Sequence, residues 1–480
     1  MDEPTHTMPF APPPEPPRPP GPPRPQHHDP LAAALGNASL LGVGYWLLGR
    51  RALAALALLG TAVLVSVLAS TAAWGYEIAA LVWWVAVVAH GWFLASRGTP
   101  RVASRGQRLI ALCVTVPVLL AVGLLRYDAV RIGQDVTEAR DKGDCAGVFR
   151  AQDEVWAGHR VAGAPVSARG DEVVEDCRNL GTAEVLLDRG LGNDTDALEQ
   201  GFGILTSVLR EPGNERTVRA VLDGFLDGLP TDNPCGTVGV TDWLRDREPT
   251  RDQLDRSAGT ASRVAPAALV ACGDSLMQGG DWQAAKAQYR QLLDEYPDDS
   301  LGSRARTGVT KATQAIELDN VRSLLSGTED EQPEYCSQPA KYSAAKPMGK
   351  GTNRALYFGN TEYTNQLPGN WKATDAARAA AVVCVGEPEF GTSVQTCPYQ
   401  GRNSGAITYV TFHKIAIPVR VYEVRTGKLV SRRTVQISGS SCPAVLSYFS
   451  YGDDDTPPRD RYVTDSRSDV RNAFRPLTNR

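Results

Sequence analysis

The sequence predicts a multi-domain membrane protein: transmembrane α-helices, then an α-helical domain, then a small α+β or β-rich domain. Three observations carry this reading. Apolar runs at Ala52–Ala73, Ile78–Ala95 and Leu109–Leu125 each have about the length of a bilayer core and are nearly free of charge. Beyond them apolar residues recur at helical spacing to about Leu325, and at strand spacing after Gly327. The cysteines are lopsided: Cys113 sits inside the third run, and the other eight all lie beyond it. An even set of thiols on one side of an anchor fits disulfides formed in an oxidising compartment.

Residues 1–30 form a proline-dominated tail, with Arg18, Arg24, His27 and His28 scattered through it. Proline lacks an amide proton and favours an extended form, so the tail is expected to be a disordered cytoplasmic leader. Leu31–Gly49 is moderately apolar, and only Arg50 and Arg51 separate it from the next run. Two antiparallel spans need a real turn, so 31–51 is read as an interfacial or re-entrant helix.

Residues 52–126 then hold three transmembrane helices. Arg97, Arg101, Arg105 and Arg108 crowd the loop between the second and third runs, whereas Trp74–Glu77, between the first two, has no basic residue. The positive-inside rule places the arginine loop in the cytoplasm and everything after Arg126 outside. The expected location is therefore the plasma membrane, multi-pass, with a large extracytoplasmic C-terminal part. His90 and Cys113 inside the runs are read as an interfacial polar group and a small hydrophobe.

Residues 131–480 carry 41 basic and 48 acidic side chains, a net charge of −7. That balance argues against a nucleic-acid or anionic-lipid surface. Only nine of the 50 basic residues are lysine, and Ala, Gly, Pro and Asp are heavily used; this composition is similar in style to actinobacterial envelope proteins.

The helical domain is bounded at 131–325. Its clearest unit runs from Pro266 to Pro297, through Leu269, Gly273, Leu276, Gly280, Trp282, Ala285, Tyr289 and Leu292. This 266–297 stretch resembles a tetratricopeptide (TPR) repeat, a pair of antiparallel helices that stacks with its neighbours. The resemblance implies that Gly273 and Ala285 permit close helix approach, that Gly280-Asp281 turns the chain and that Pro297 ends the second helix. Leu292 departs from the family, which usually has a small residue there, and Leu269 and Leu276 replace common aromatics. The resemblance also implies a groove lined by Ala267, Val270, Asp274 and Met277 as partner-binding positions. Cys272 takes an inward place on the first helix of the repeat, where a bond from Cys235 would tie it to the preceding helix; Cys145 and Cys177 would clamp the first helical hairpin. Each such bridge is worth about 3–4 kcal/mol in the chain-entropy model. Thr217–Leu229, Thr241–Arg247 and Leu301–Leu318 are expected to be further helices.

An acidic linker, 326–335, leads to a β-rich domain at 336–480. Strands are expected at Arg354–Phe358, Ala380–Val385, Ile407–Phe412, Ile415–Val424 and Leu429–Ile437, with a short helix at Thr374–Ala379 and a hairpin turn at Thr426-Gly427. Its four cysteines allow three connectivities; Cys384–Cys397 across a strand and its return, with Cys336–Cys442 joining the domain's ends, is the favoured one.

Catalytic patterns are not legible. His159 and His413 are isolated from any nucleophile or ligand cluster in sequence, Asp453–Asp455 lacks the ligand spacing of a calcium loop, and no CxxC, HExxH or phosphate loop occurs. Tyr399, Tyr409, Tyr448, Phe449 and Tyr451 are read as core or strand-pair aromatics rather than a sugar-stacking surface. The expectation is a non-enzymatic envelope protein without metal or cofactor, holding a protein partner outside the cytoplasm. The rivals are an exterior cell-wall enzyme with its site in 336–480 and an accessory subunit of a transporter or secretion complex.

Overall fold

The computed structural model describes residues 29–71, 74–97, 105–402, 404–449 and 456–479. The proline tail, Arg101, Tyr451 and the Asp453–Asp455 loop lie outside them. The chain divides into two compact units, Met1–Gly228 with Pro249–Arg256, and Leu229–Glu248 with Ser257–Arg480.

In the first unit, α1 (Pro30–Ala38) and α2 (Val43–Leu47) fill the ambiguous apolar stretch. At 1.5 Å per residue the longer of them reaches only about 14 Å, too short to cross a bilayer. The chain turns between them through positive φ at Leu40 and Gly42. Asn37, fully buried, holds the turn: its amide donates to the Val87 carbonyl (3.2 Å), and its side-chain oxygen accepts from Tyr45 N–H (3.2 Å). Gly44 is required by packing, because a Cβ there would lie 2.0 Å from the Ala33 carbonyl oxygen.

Three helices follow that are long and apolar enough to cross a membrane: α3 (Arg51–Thr71), α4 (Trp74–Ser96) and α5 (Arg105–Lys142). The apolar part of α5 is bracketed by two arginines, each with a carboxylate. Arg108 Nε meets Asp29 at 2.6 Å, and Arg126 Nη1 meets Glu77 at 2.7 Å. Helix α5 continues without a break well past Arg126. Around its second half pack α6 (Cys145–Gln152), α7 (Ala157–Ala162), α8 (Ala164–Leu191) and α10 (Glu215–Asp227), while α9 (Thr195–Leu209) lies along α8. Ile132 and Val136 of α5 meet Val148 of α6 and Val173 and Val174 of α8 in one core. The Cys145–Cys177 disulfide joins α6 to α8 beside that core.

The second unit begins with α11 (Pro234–Asp246), α12 (Arg256–Gly279), α13 (Trp282–Glu295) and α14 (Gly302–Leu324). Cys235–Cys272 ties α11 to α12. The turn from α12 to α13 passes through Gly280 at φ +83°. Tyr289 of α13 is clasped between glycines of both neighbouring helices: a Cβ at Gly273 or Gly308 would lie 2.5 or 2.6 Å from its ring. Helix α12 starts ten residues before Pro266, which sits inside it.

The sheet is curled around one long strand. β1 (Ala355–Phe358) is followed by α15 (Thr361–Thr364) and pairs parallel with β2 (Ala381–Val385). β3 (Glu389–Gln400) and β2 lie along one flank of β4 (Ile407–Glu423), β2 on its second half and β3 on its first. β5 (Lys428–Ile437) and β6 (Asp460–Tyr462) take the other flank, and α16 (Arg467–Thr478) packs on β5. Alternation along β4 builds two cores. Ile415, Ile417, Val419 and Val421 face α16 through Val470, Phe474 and Leu477; Tyr422 and Val424 face Val321 and Leu325 at the end of α14. The acidic segment before the sheet is anchored through Tyr335, which is fully buried, stacks edge-on against Tyr422 and donates to the Ala340 carbonyl.

Two sequence expectations change here. The runs 407–412 and 415–424 are one strand, because His413 and Lys414 interrupt the apolar pattern without interrupting pairing. The favoured disulfide pattern is replaced by Cys336–Cys384 and Cys397–Cys442. The reason is register: Cys384 pairs opposite Arg420 and Cys397 opposite Val410, on the same flank of β4. Ten residues of strand separate them, about 33 Å along its length, far beyond the reach of a bridge.

Candidate functional site

An open groove of about 1180 Å³ lies in the first unit, between the second half of α5, α8 and the start of α10. Its lining combines apolar residues (Val130, Val166, Val173) with charged ones. Helical periodicity explains the arrangement. Val173 and Val174 turn one face of α8 into the core, which leaves Glu172, Glu175 and Asp176 on the adjoining face that lines the groove.

Several groove charges are already engaged. Glu138 pairs with Lys142 at 2.6 Å, Asn214 donates to Asp176 at 2.7 Å, and Arg216 donates to the Asp141 carbonyl at 2.6 Å. Lys142, drawn first by its hydrogen bond to the Glu138 carboxylate, has its ammonium held above the ordinary lysine value. Glu172, Glu175 and Glu211 have no ion pair among the described residues. Six carboxylates against four basic groups leave the lining net acidic. Such a groove, partly apolar and net acidic, suits an extended segment that offers apolar and basic side chains in turn.

The positions proposed for the repeat groove lie elsewhere, in the second unit. Val270 is buried and offers no surface. Met277 packs against the cluster of Val238, Leu269 and Tyr289. Asp274 accepts from Tyr289 Oη at 2.6 Å and pairs with Arg304 at 2.5 Å. Burial first, and then the Asp274 carboxylate, pushes the Tyr289 phenol above its ordinary value. Ala267 is exposed. Of the four positions, it alone has neither a packing nor a bonding role here.

Both histidines beyond the apolar helices are built into the fold. Buried His159 receives the Trp156 amide at Nδ1 (3.4 Å) and meets Asp128 through Nε2 (3.1 Å). His413 in β4 bridges two strands, with Nδ1 on the Gly391 carbonyl of β3 (3.1 Å) and Nε2 on Asp460 of β6 (2.8 Å). Each ring nitrogen thus has a structural partner, and none of these partners is a nucleophilic side chain. No group of three metal-ligating side chains converges among the described residues.

Sequence reading missed the groove because its walls come from segments about 40 to 80 residues apart. The surplus of Asp and Glu in 171–176 was a visible signal, but such a run is ordinarily a solvated helix face. In comparison with known proteins, the chain matches no protein-family model, and no curated protein or solved structure is significantly similar to it.

Proposed function

We propose that the chain is a non-enzymatic, multi-pass membrane protein that holds a partner polypeptide just outside the cytoplasmic membrane, in the acidic groove of α5 and α8. The observation that carries this is the continuity of α5. One helix contains the apolar run and then, from Val130, the groove wall. Groove and membrane are therefore set at a fixed distance: Val130 lies one turn, about 6 Å, beyond Arg126.

The membrane boundaries support the reading. Arg108 and Arg126 are 18 residues apart, about 27 Å along the helix, close to the thickness of a hydrocarbon core. Each is neutralised by a carboxylate at its end of the run. Exposed Trp74, Tyr76 and Tyr127 gather at one end of the helices and Trp46, Trp92 and Phe93 at the other, as interfacial aromatics do. The four disulfides favour the oxidising side for everything after Arg126. The α12–α13 hairpin, with its glycine-lined tyrosine, is in keeping with a TPR-like origin.

The test is site-specific photo-crosslinking in intact membranes. A photoreactive residue at Glu175 should capture a discrete partner, and Glu172→Arg with Glu211→Arg should abolish the capture. The same probe at Ala287 on α13 should not yield that species. Capture that survives charge reversal, or none at Glu175, removes the groove from the mechanism. For topology, a membrane-impermeant thiol reagent should label intact cells only after reduction.

A further inference from the structure

The net charge of −7 conceals a division. Residues 131–335 carry 22 basic and 37 acidic side chains, a net −15, whereas 336–480 carry 19 basic and 11 acidic, a net +8. Part of that excess is organised. On α16, Arg467, Arg471 and Arg475 fall at i, i+4 and i+8, one stripe along the helix. Arg433 of β5 joins them, since its Nη2 donates to the Pro476 carbonyl (3.5 Å) beside Arg475. None of the four has a carboxylate within ion-pair distance among the described residues.

The stripe is not explained by folding. Like charges at i, i+4 oppose helix formation. A cation suits the last turn, where Arg475 sits, but Arg467 occupies the first helical position, where the helix dipole favours anions. The core-facing residues Val470, Phe474 and Leu477 already fix the helix on the sheet. Of the three arginines on α16, Arg471 is tied in place by donating from Nε to the Gln366 carbonyl (3.1 Å), which leaves its terminal nitrogens free to bind.

We infer that this arginine face binds a linear polyanion whose oxyanion groups repeat along a chain. Successive arginines rise about 6 Å along the helix, so the row spans about 12 Å and meets a series of charges rather than one. Guanidinium groups take phosphate or carboxylate oxygens in a bidentate manner. A bilayer surface is the poorer occupant. Interfacial helices carry exposed apolar side chains beside their basic ones, and no large hydrophobic residue of 456–479 is exposed.

The experiment uses the full chain in nanodiscs of zwitterionic lipid, titrated with inorganic polyphosphate and, separately, with poly-glutamate over a range of salt. At least one should bind in a salt-dependent way. The triple variant Arg467→Gln, Arg471→Gln, Arg475→Gln should bind at least tenfold more weakly, with the salt slope reduced by about 2. Removing the same charge at Arg263, Arg290 and Arg306 should change neither. The triple variant should melt no lower than the parent, because it relieves repulsion; a fall in melting temperature with lost binding shifts the readout to the single Arg467→Gln variant, whose side chain is exposed and which should still weaken binding severalfold. Binding to neither polymer, binding unaffected by the triple change, or tighter capture by phosphatidylglycerol vesicles than by either polymer overturns the assignment.

Discussion

Helices α12–α14 and the sheet that follows them build their cores in different ways. The helical part turns on one ring: Tyr289 lies between Gly273 and Gly308, with its hydroxyl on Asp274. The sheet spreads burial over both faces of β4, with twenty buried residues on the α16 side alone. A keystone makes helix spacing specific and vulnerable, and a distributed core makes each member less critical. The largest expected effect follows. Tyr289→Ala should destabilise the second unit by about 3–5 kcal/mol, and Val383→Ala, within the distributed core, by about 2 kcal/mol. Tyr289→Phe, which keeps the ring and loses the hydroxyl, should cost about 1 kcal/mol. Urea unfolding of the three variants ranks them, and equal midpoints for the two alanine variants would break the contrast.

The boundary between the two regions is itself a core. Val321 and Leu325 of α14 share a cluster with Tyr335, Cys336, Cys384 and Tyr422. Replacing Cys336 and Cys384 by alanine should therefore cost about 2–4 kcal/mol and raise hydrogen exchange in β2 and the end of α14 together. The Cys397–Cys442 bond joins the exposed edge strand β3 to half-buried Cys442 in a largely exposed loop. Its removal should affect exchange only in β3 and 440–446. The same pattern from both pairs would mean that the shared core does not couple helix to sheet.

Legibility in the sequence followed this division. Helices and four of the strands were readable because their apolar residues recur with one period: β1, β2 and β5 lie within about a residue of expectation. Strand β3 was not, since as an edge strand it shows polar side chains such as Thr392, Ser393 and Gln395 to solvent on both faces. Its omission is also why the disulfides were mispaired, for without β3 nothing places Cys397 ten residues along β4 from Cys384. The pairs Cys145–Cys177 and Cys235–Cys272 were readable because each joins neighbouring helices. The groove was beyond periodicity altogether: Glu172 and Glu175 become a wall only when α5 and α10 are set beside α8.

The smallest effect, and the sharpest test of the helix–sheet junction, is a response to acid. Two ion pairs dock α14 on the residues around the sheet. Arg322 grips Asp375 with Nε and Nη2, both at 2.9 Å, and this hydrogen bonding holds the Asp375 carboxyl below its ordinary value. For Glu317, burial acts to raise the carboxyl, but the Ser343 hydroxyl and amide, with Lys341, outweigh it and hold it low. A carboxyl depressed in the folded state binds its proton more readily when unfolded. The stabilisation is thus complete above the unfolded values, near pH 4, and is lost as pH falls through the lower folded ones. Asp375 is half-exposed, so its share is screened, and the two sites together should contribute about 1–2 kcal/mol. Lowering the pH from 6 to 3 should loosen exchange at the C-terminal half of α14 before that of β4. In the double variant Glu317→Gln, Asp375→Asn this pH dependence should largely vanish, with α14 already loosened at pH 6. A wild-type α14 whose protection is unchanged down to pH 3 would show that the apolar cluster of Val321, Tyr335 and Tyr422 holds the junction without help from charge.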